Sequence, residues 1–145
     1  MRTNPKAFLA LISILLLGAC GGDSSTGVNG DASGTYSLQS IGGKPLPLTV
    51  ASSATSTTTF KSGSLTINAD HSFSGTLNYD QNISGTMSST TSICLGTYTQ
   101  RGGSFTFSES SSSDPNCGFT YDGTWNGTNS FTVNYAPGAA AVYTK

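Results

Sequence analysis

The sequence predicts an all-β protein in which one antiparallel up-and-down barrel of about eight to ten strands forms the folded domain. Apolar and polar residues alternate with a period of two through most of residues 34–145, and turn-forming residues recur at short intervals. Helical periodicity is absent from that part of the chain. With 145 residues, 9% of them charged and 10% aromatic, the composition fits one folded domain and argues against general disorder.

The N-terminal segment has the features of a targeting signal. Arg2 and Lys6 supply positive charge, and the run from Ala7 to Leu17 is apolar apart from Ser13. This run is shorter than the roughly 18–20 residues that a membrane-spanning helix needs, so it predicts a helical signal peptide. Leu17-Gly18-Ala19-Cys20 follows directly.

That tetrapeptide resembles the lipobox of bacterial lipoproteins. The resemblance implies that residues 1–19 are removed as a signal peptide and that Cys20 carries a diacylglyceryl group, which anchors the protein to a membrane. It places the protein in the bacterial cell envelope, and Gly21, where Asp would favour inner-membrane retention, favours the outer membrane, on its periplasmic or surface face. The alternative is an ordinary cleavable signal in which Cys20 occurs by chance.

Residues 20–33 are small and polar and predict a flexible tether before a barrel domain at 34–145. From Cys20 onward the chain has four basic and seven acidic residues, a net charge of −3. This balance excludes a generic nucleic-acid binder, which needs clustered Lys and Arg. Because the net charge is negative, we expect membrane attachment to depend on the lipid at Cys20 and not on charge.

The predicted strands alternate apolar and hydroxyl-bearing residues, as in Tyr36 and Leu38, Leu65 and Ile67, or Phe105 and Phe107. We expect some of the short ones to merge. The predicted segments are 34–41, 46–51, 55–61, 64–69, 72–79, 83–93, 95–101, 104–109, 118–126, 130–135 and 139–144.

Turn signals separate many of these segments. Ile41–Pro45, Asn68–His71, Arg101–Gly103 and Asn126–Asn129 contain the Gly, Asn, Asp or Pro residues that favour hairpins. Consecutive hairpins predict antiparallel neighbours, and closing the sheet into a barrel removes the exposed edges that promote aggregation.

Several short motifs resemble the lipocalin-like small barrels of bacterial lipoproteins. They are Gly34–Pro47, Gly63–Phe73, Gly96-Thr97-Tyr98 and Ala141-Val142-Tyr143. The resemblance implies the fold more than an activity. His71 departs from the pattern, which usually has Gly at that turn position.

Cys94 and Cys117 remain when Cys20 carries the lipid. An even pair in an exported domain predicts a disulfide, which would close a loop of about 24 residues and contribute about 3 kcal/mol of stability. Two free thiols are the alternative interpretation.

Aromatic side chains at predicted inward positions have two interpretations. They pack the barrel interior, which eight strands leave just wide enough for side chains, or they line a cavity for a small hydrophobic ligand. Packing is favoured. The candidates for a ligand cavity are Tyr36, Tyr98, Phe105, Phe107, Trp125 and Phe131.

The sequence offers little catalytic chemistry, so we expect no enzyme, metal or cofactor. His71 is the sole histidine and stands beside Asp70 in a predicted turn, without a nucleophile motif. The acids, including Asp80, Glu109 and Asp122, show no spacing typical of paired catalytic carboxylates.

Three classes of function therefore remain. The leading one is a lipid-anchored, non-catalytic envelope protein that binds a small hydrophobic ligand. The alternative is a protein-interaction or inhibitor barrel, resembling lipoproteins that block lysozymes, with Ser108–Cys117 as its functional loop. An enzyme is the third, and it would depend on His71 as its acid–base group.

Overall fold

The computed structural model describes residues 30–110, 120–135 and 139–145, with the side chains of 51 and 52 excepted. The signal peptide, Cys20, most of the tether and Cys117 lie outside these ranges. Across these ranges the chain forms strands. No helix that is long and apolar enough to cross a membrane occurs among these described residues. The strands are β1 (Gly34–Ile41), β2 (Lys44–Pro45), β3 (Leu48–Ser53), β4 (Ser56–Ile67), β5 (Ser72–Ile83), β6 (Thr86–Arg101), β7 (Ser104–Ser110), β8 (Thr120–Trp125), β9 (Ser130–Asn134) and β10 (Ala140–Thr144).

Strand β1 closes the sheet into a barrel. Its first residues, Gly34–Ser37, pair with β4, and its later residues pair with β10. From β4 to β10 each strand pairs with the next along the chain, which gives a closed eight-stranded antiparallel barrel. Strands β2 and β3 lie outside this ring, on the ends of β1 and β4. The predicted all-β barrel is therefore confirmed.

Two pairs of predicted segments are single long strands. The segments at 55–61 and 64–69 form β4, with a register shift between Phe60 and Ser62. The segments at 83–93 and 95–101 form β6, because β5 pairs with it without interruption from Ile83–Thr86 to Ser72–Thr97. The hairpin between β5 and β6 turns at Ser84 and Gly85, which have φ values of 51° and 86°, a geometry typical of a tight two-residue turn.

Large aromatic rings fill one half of the barrel. Phe131 meets Tyr36 and Phe105 edge to face, with ring centroids 4.8 Å apart in each pair. Phe107 lies against Phe105 and stacks on Tyr121 at 5.5 Å. Tyr36, Phe107, Phe131 and Val133 are completely shielded from solvent. We call this region, from the start of β1 to the middle of the barrel, the filled half.

Residues preceding β1 cover the end of the filled half. Ala32 is buried, and its carbonyl oxygen accepts a hydrogen bond of 2.7 Å from the Tyr36 hydroxyl. Lys145 at the other end of the chain donates to the Ser33 carbonyl oxygen at 2.7 Å, and its ammonium lies 4.8 Å from the centre of the Tyr36 ring. The two ends of the domain are thus joined over this core.

The outer surface of the barrel carries polar pairs. The hydroxyls of Thr49 and Thr59 lie 2.8 Å apart across β3 and β4. Asp80 forms an ion pair with Lys61 at 2.8 Å and accepts a hydrogen bond from Ser89. These contacts, first of all the one to Lys61, lower the pKa of the Asp80 carboxyl.

Candidate functional site

A partly open cavity of about 410 Å³ occupies the half of the barrel opposite the covered end. β1 runs from Gly34 at the covered end to Ile41 at the cavity, and most of the other barrel strands, including β5, β6, β7 and β8, contribute to the wall. We call this region the cavity half. Its lining consists of Leu38, Ile41, Phe60, Gly75, Thr76, Leu77, Ser92, Cys94, Glu109, Tyr121, Tyr135, Ala139, Ala141 and Tyr143.

The cavity exists because several inward positions there carry small side chains. Gly75, Ser92, Cys94 and Ala141 stand on strands that carry large rings or branched chains farther along. A Cβ atom placed on Gly75 would approach the Cys94 carbonyl oxygen at 3.9 Å, which is ordinary contact. The size of these side chains therefore leaves space that the surrounding aromatic residues do not fill.

A polar corner interrupts the otherwise largely apolar wall. The Tyr121 hydroxyl donates to Glu109 Oε1 at 2.9 Å, and the hydroxyls of Tyr135 and Tyr143 lie 2.8 Å apart. The Tyr121 and Tyr135 ring centroids are 4.8 Å apart. We define Glu109, Tyr121, Tyr135 and Tyr143 as the polar corner.

Burial raises the pKa of two tyrosines in the polar corner, Tyr121 and Tyr143. Desolvation is the main cause that raises the pKa of Tyr121, and the negative charge of Glu109 adds to it. Burial also raises the pKa of Tyr143, which is 4% exposed. The described lining contains one acidic residue, Glu109, and no Lys, Arg or His. The charge that a ligand meets there is therefore that of a carboxylate.

The six aromatic residues proposed from the sequence as cavity lining lie elsewhere. Tyr36, Tyr98, Phe105, Phe107, Trp125 and Phe131 are all buried in the core, and none of them lines the cavity. Their rings pack against one another; Trp125, for example, stacks on Phe131 at 6.4 Å. The sequence interpretation needs this correction because large rings consume the very volume that a cavity requires. The packing interpretation describes their half of the barrel.

Sequence reasoning did not single out the polar corner. The spacing of the acidic residues does not distinguish Glu109, but the alternation Phe105-Thr106-Phe107-Ser108-Glu109 places it on the inward side with the two phenylalanines. A carboxylate at an inward position of a barrel strand is unusual, because burial opposes charge. The alternation of inward and outward residues along β7 is therefore the sequence feature that could have identified Glu109 as an inward-facing acid.

The predicted cysteine chemistry lies partly outside the described residues. Cys94 is half-buried in β6 and lines the cavity. Cys117, its predicted disulfide partner, and Cys20, the predicted lipid attachment site, are not among the described residues, so both assignments stay predictions. The same holds for most of the loop Ser108–Cys117.

His71 lies exposed in the turn between β4 and β5. Its φ of 66° is left-handed, a backbone conformation that favours Gly, so His71 is an uncommon residue at this turn position. Its ring centroid is 5.3 Å from that of Tyr98. Asp70 accepts hydrogen bonds from Ser72 instead. Within 30–110, 120–135 and 139–145, no three His, Cys, Asp or Glu side chains group in a way that could hold a metal ion.

Comparison with known proteins assigns no family. No protein-family model matches the chain, and no curated protein or solved structure is significantly similar to it. The cavity and its polar corner are therefore the basis for the functional argument.

Proposed function

We propose that this protein is a lipid-anchored, non-catalytic component of the bacterial cell envelope whose lipocalin-like barrel binds a small hydrophobic ligand. The observation that carries the proposal is the cavity of about 410 Å³, which lies within the range typical of small-molecule sites. Leu38, Phe60 and Leu77 give it an apolar wall. Removing an apolar ligand from water against such a wall supplies the binding free energy.

The anchor follows from the sequence motif that ends at Cys20. Two or three acyl chains on that residue would hold the protein at the outer membrane, on its periplasmic or surface face. Each buried methylene contributes about 0.8 kcal/mol to this attachment. No cofactor and no nucleic acid enters this function. The barrel serves as a rigid container, and the tether separates it from the lipid surface.

Ligand binding can be tested with the intact chain in phosphatidylcholine nanodiscs. We use 1-hexanol as a neutral probe and follow the ring resonances of ¹³C-labelled tyrosine by NMR, with empty nanodiscs to correct for partitioning. Saturable shifts at Tyr121 and Tyr143 are expected, because both rings line the cavity. Tyrosine resonances that do not move up to the solubility limit of the probe would contradict the proposal.

A pair of leucine substitutions provides the matched control. Gly75→Leu places a side chain in the cavity, where the glycine leaves room, and should abolish the shifts. Ser74→Leu adds the same side chain at the neighbouring position, which faces the other side of the sheet, and should leave binding intact. Equal binding by both variants would argue against this cavity as the site.

The lipid anchor has its own test. Metabolic labelling with palmitate should modify the wild-type chain and fail on Cys20→Ala, and globomycin should block signal-peptide processing. Equal labelling of the two chains would refute lipidation at this residue.

A further inference from the structure

The polar corner gives the cavity a preference for one charge class. Its members come from different strands: Glu109 from β7, Tyr121 from β8 and Tyr143 from β10, while Tyr135 directly follows β9. All four line the same cavity. Folding therefore assembles a carboxylate and three phenol rings at one end of an apolar wall.

The charge of this corner favours a cation. Glu109 is the acidic member, its Oε1 receives the Tyr121 hydroxyl at 2.9 Å, and the described lining contributes no basic side chain. A cation in the cavity would gain Coulomb energy in a partly desolvated place, where the attraction is stronger than in water. A carboxylate or phosphate ligand would instead meet a like charge without a basic partner from the lining.

The aromatic rings point to the same class of ligand. The negative face of a tyrosine ring attracts a cation within about 6 Å of its centre, and aromatic cages of this kind recognise quaternary ammonium groups. Tyr121 and Tyr135 have centroids 4.8 Å apart, and Tyr143 joins Tyr135 through their hydroxyls at 2.8 Å. All three tyrosines line the cavity together with Glu109, so an ammonium head bound there would lie close to aromatic rings as well as to the carboxylate.

The rest of the lining accounts for the other end of the ligand. Ile41, Phe60 and Leu77 form an apolar surface that continues from the polar corner. A short alkyl chain would be removed from water there while its head remained at the tyrosines. An amphiphile matches this division better than a wholly apolar molecule does.

We propose that the ligand is a cationic amphiphile: a substituted ammonium group bound at Glu109, Tyr121, Tyr135 and Tyr143, with a short apolar tail along Phe60 and Leu77. This inference rests on the proposed ligand-binding function and specifies its ligand class. It makes the barrel a receptor for amines, not for fatty acids.

Three probes of similar tail length test the class of ligand: hexyltrimethylammonium, 1-hexanol and heptanoate. Each is titrated into the intact chain in phosphatidylcholine nanodiscs, with the tyrosine ring resonances as the readout. We expect the ammonium to bind roughly tenfold more tightly than the alcohol, and heptanoate to bind most weakly. If the alcohol binds but the ammonium is no tighter, the charge preference is refuted while ligand binding stands. If none of the three binds, both proposals fail.

Substitution of the carboxylate isolates the role of its charge. Glu109→Gln keeps the shape and should weaken binding of hexyltrimethylammonium roughly tenfold while leaving 1-hexanol within about twofold. Asp122→Asn, on the exposed side of β8, removes one negative charge away from the cavity and should change neither probe. Equal weakening by the two variants would show a general charge effect and overturn the proposed site.

Substitution of a ring isolates the aromatic contribution. Tyr121→Phe keeps the π face and should retain most of the preference for ammonium, whereas Tyr121→Leu should reduce the ammonium affinity several-fold more than the alcohol affinity. Thermal unfolding of both variants checks that the barrel persists. A preference for ammonium that survives Tyr121→Leu unchanged, in a folded barrel, would contradict a role for this ring.

Discussion

Two glycines on the inward face of neighbouring strands show how the halves of the barrel differ. A Cβ atom on Gly96, in the filled half, would overlap the Ser108 carbonyl oxygen and come within 2.7 Å of the Phe73 ring. A Cβ atom on Gly75, in the cavity half, would meet its nearest neighbour at 3.9 Å. The first glycine is required by packing, and the second leaves space. One barrel thus contains a tightly packed core in one half and a cavity in the other.

The largest contrast should come from deleting a large ring in the filled half. Phe107→Ala removes a fully buried ring from contacts with Phe105 and Tyr121, and we expect a loss of about 3–5 kcal/mol in the free energy of unfolding. Leu77→Ala, at a partly buried cavity position, should cost less, because part of its surface already faces open space. Urea denaturation measures both, with Phe107→Leu as a milder variant should the alanine chain not fold. Similar losses at the two sites would remove the distinction between the halves.

The two glycines themselves give the next effect. Gly96→Ala should destabilise the protein by about 1–3 kcal/mol, because backbone and ring must shift to admit the methyl group. Gly75→Ala should be neutral or stabilise by up to about 1 kcal/mol, since it lowers the entropy of the unfolded chain without a clash. Shifts of the urea midpoint in opposite directions would support the difference between the two halves. A lower midpoint for Gly75→Ala than for wild type would contradict it.

Alkaline pH should act on the cavity half. The pKa values of Tyr121 and Tyr143 are raised by burial, so the folded chain holds both protons at a pH where the unfolded chain has lost them. Stability is therefore unaffected by these groups below about pH 10 and falls above it, by up to about 1.4 kcal/mol per pH unit for each tyrosine. Urea unfolding between pH 8 and 11 measures this slope. Tyr121→Phe should flatten it, and an unchanged slope would show that this hydroxyl is not responsible.

The outer surface should give the smallest effect. Asp80→Asn breaks the ion pair with Lys61 on the solvent side of the sheet, where such pairs contribute little. Because the pKa of Asp80 is lowered, the stability that its carboxylate contributes is present above about pH 4 and is lost as the pH falls through the folded value. The difference between wild type and variant should therefore shrink on acidification. Chemical denaturation at pH 7 and pH 3 checks this, and a difference that grows in acid would contradict the assignment.

Much of the fold was readable from the sequence because the barrel obeys local rules. The alternation at Tyr36–Leu38 or Phe105–Phe107 marks the inward face, and the turns at Asn68–His71 and Asn126–Asn129 follow from their composition. The continuity of β6 through Cys94–Leu95 was harder to predict from the sequence. Continuous pairing with β5 determines that continuity, and pairing is a property of the whole sheet.

The cavity was harder to predict because it depends on distances along the barrel axis. Alternation shows that Gly75, Phe107 and Glu109 face inward, but it does not show which inward residues share one level of the barrel. That level follows from the register of the sheet, which pairs Gly75 with Cys94 in the cavity wall. Aromatic residues at inward positions are therefore poor markers of the cavity, because large rings fill the space that a cavity requires.

The position of Trp125 has a practical consequence for spectroscopy. It is the protein's sole tryptophan, it is buried beside Phe131 in the filled half, and it is absent from the cavity wall. Its emission should consequently report global unfolding while remaining silent to occupancy, whereas signals from tyrosine should report occupancy. Tryptophan emission and tyrosine NMR signals thus provide two separate readouts, so that unfolding of the barrel and occupancy of the cavity can be followed separately.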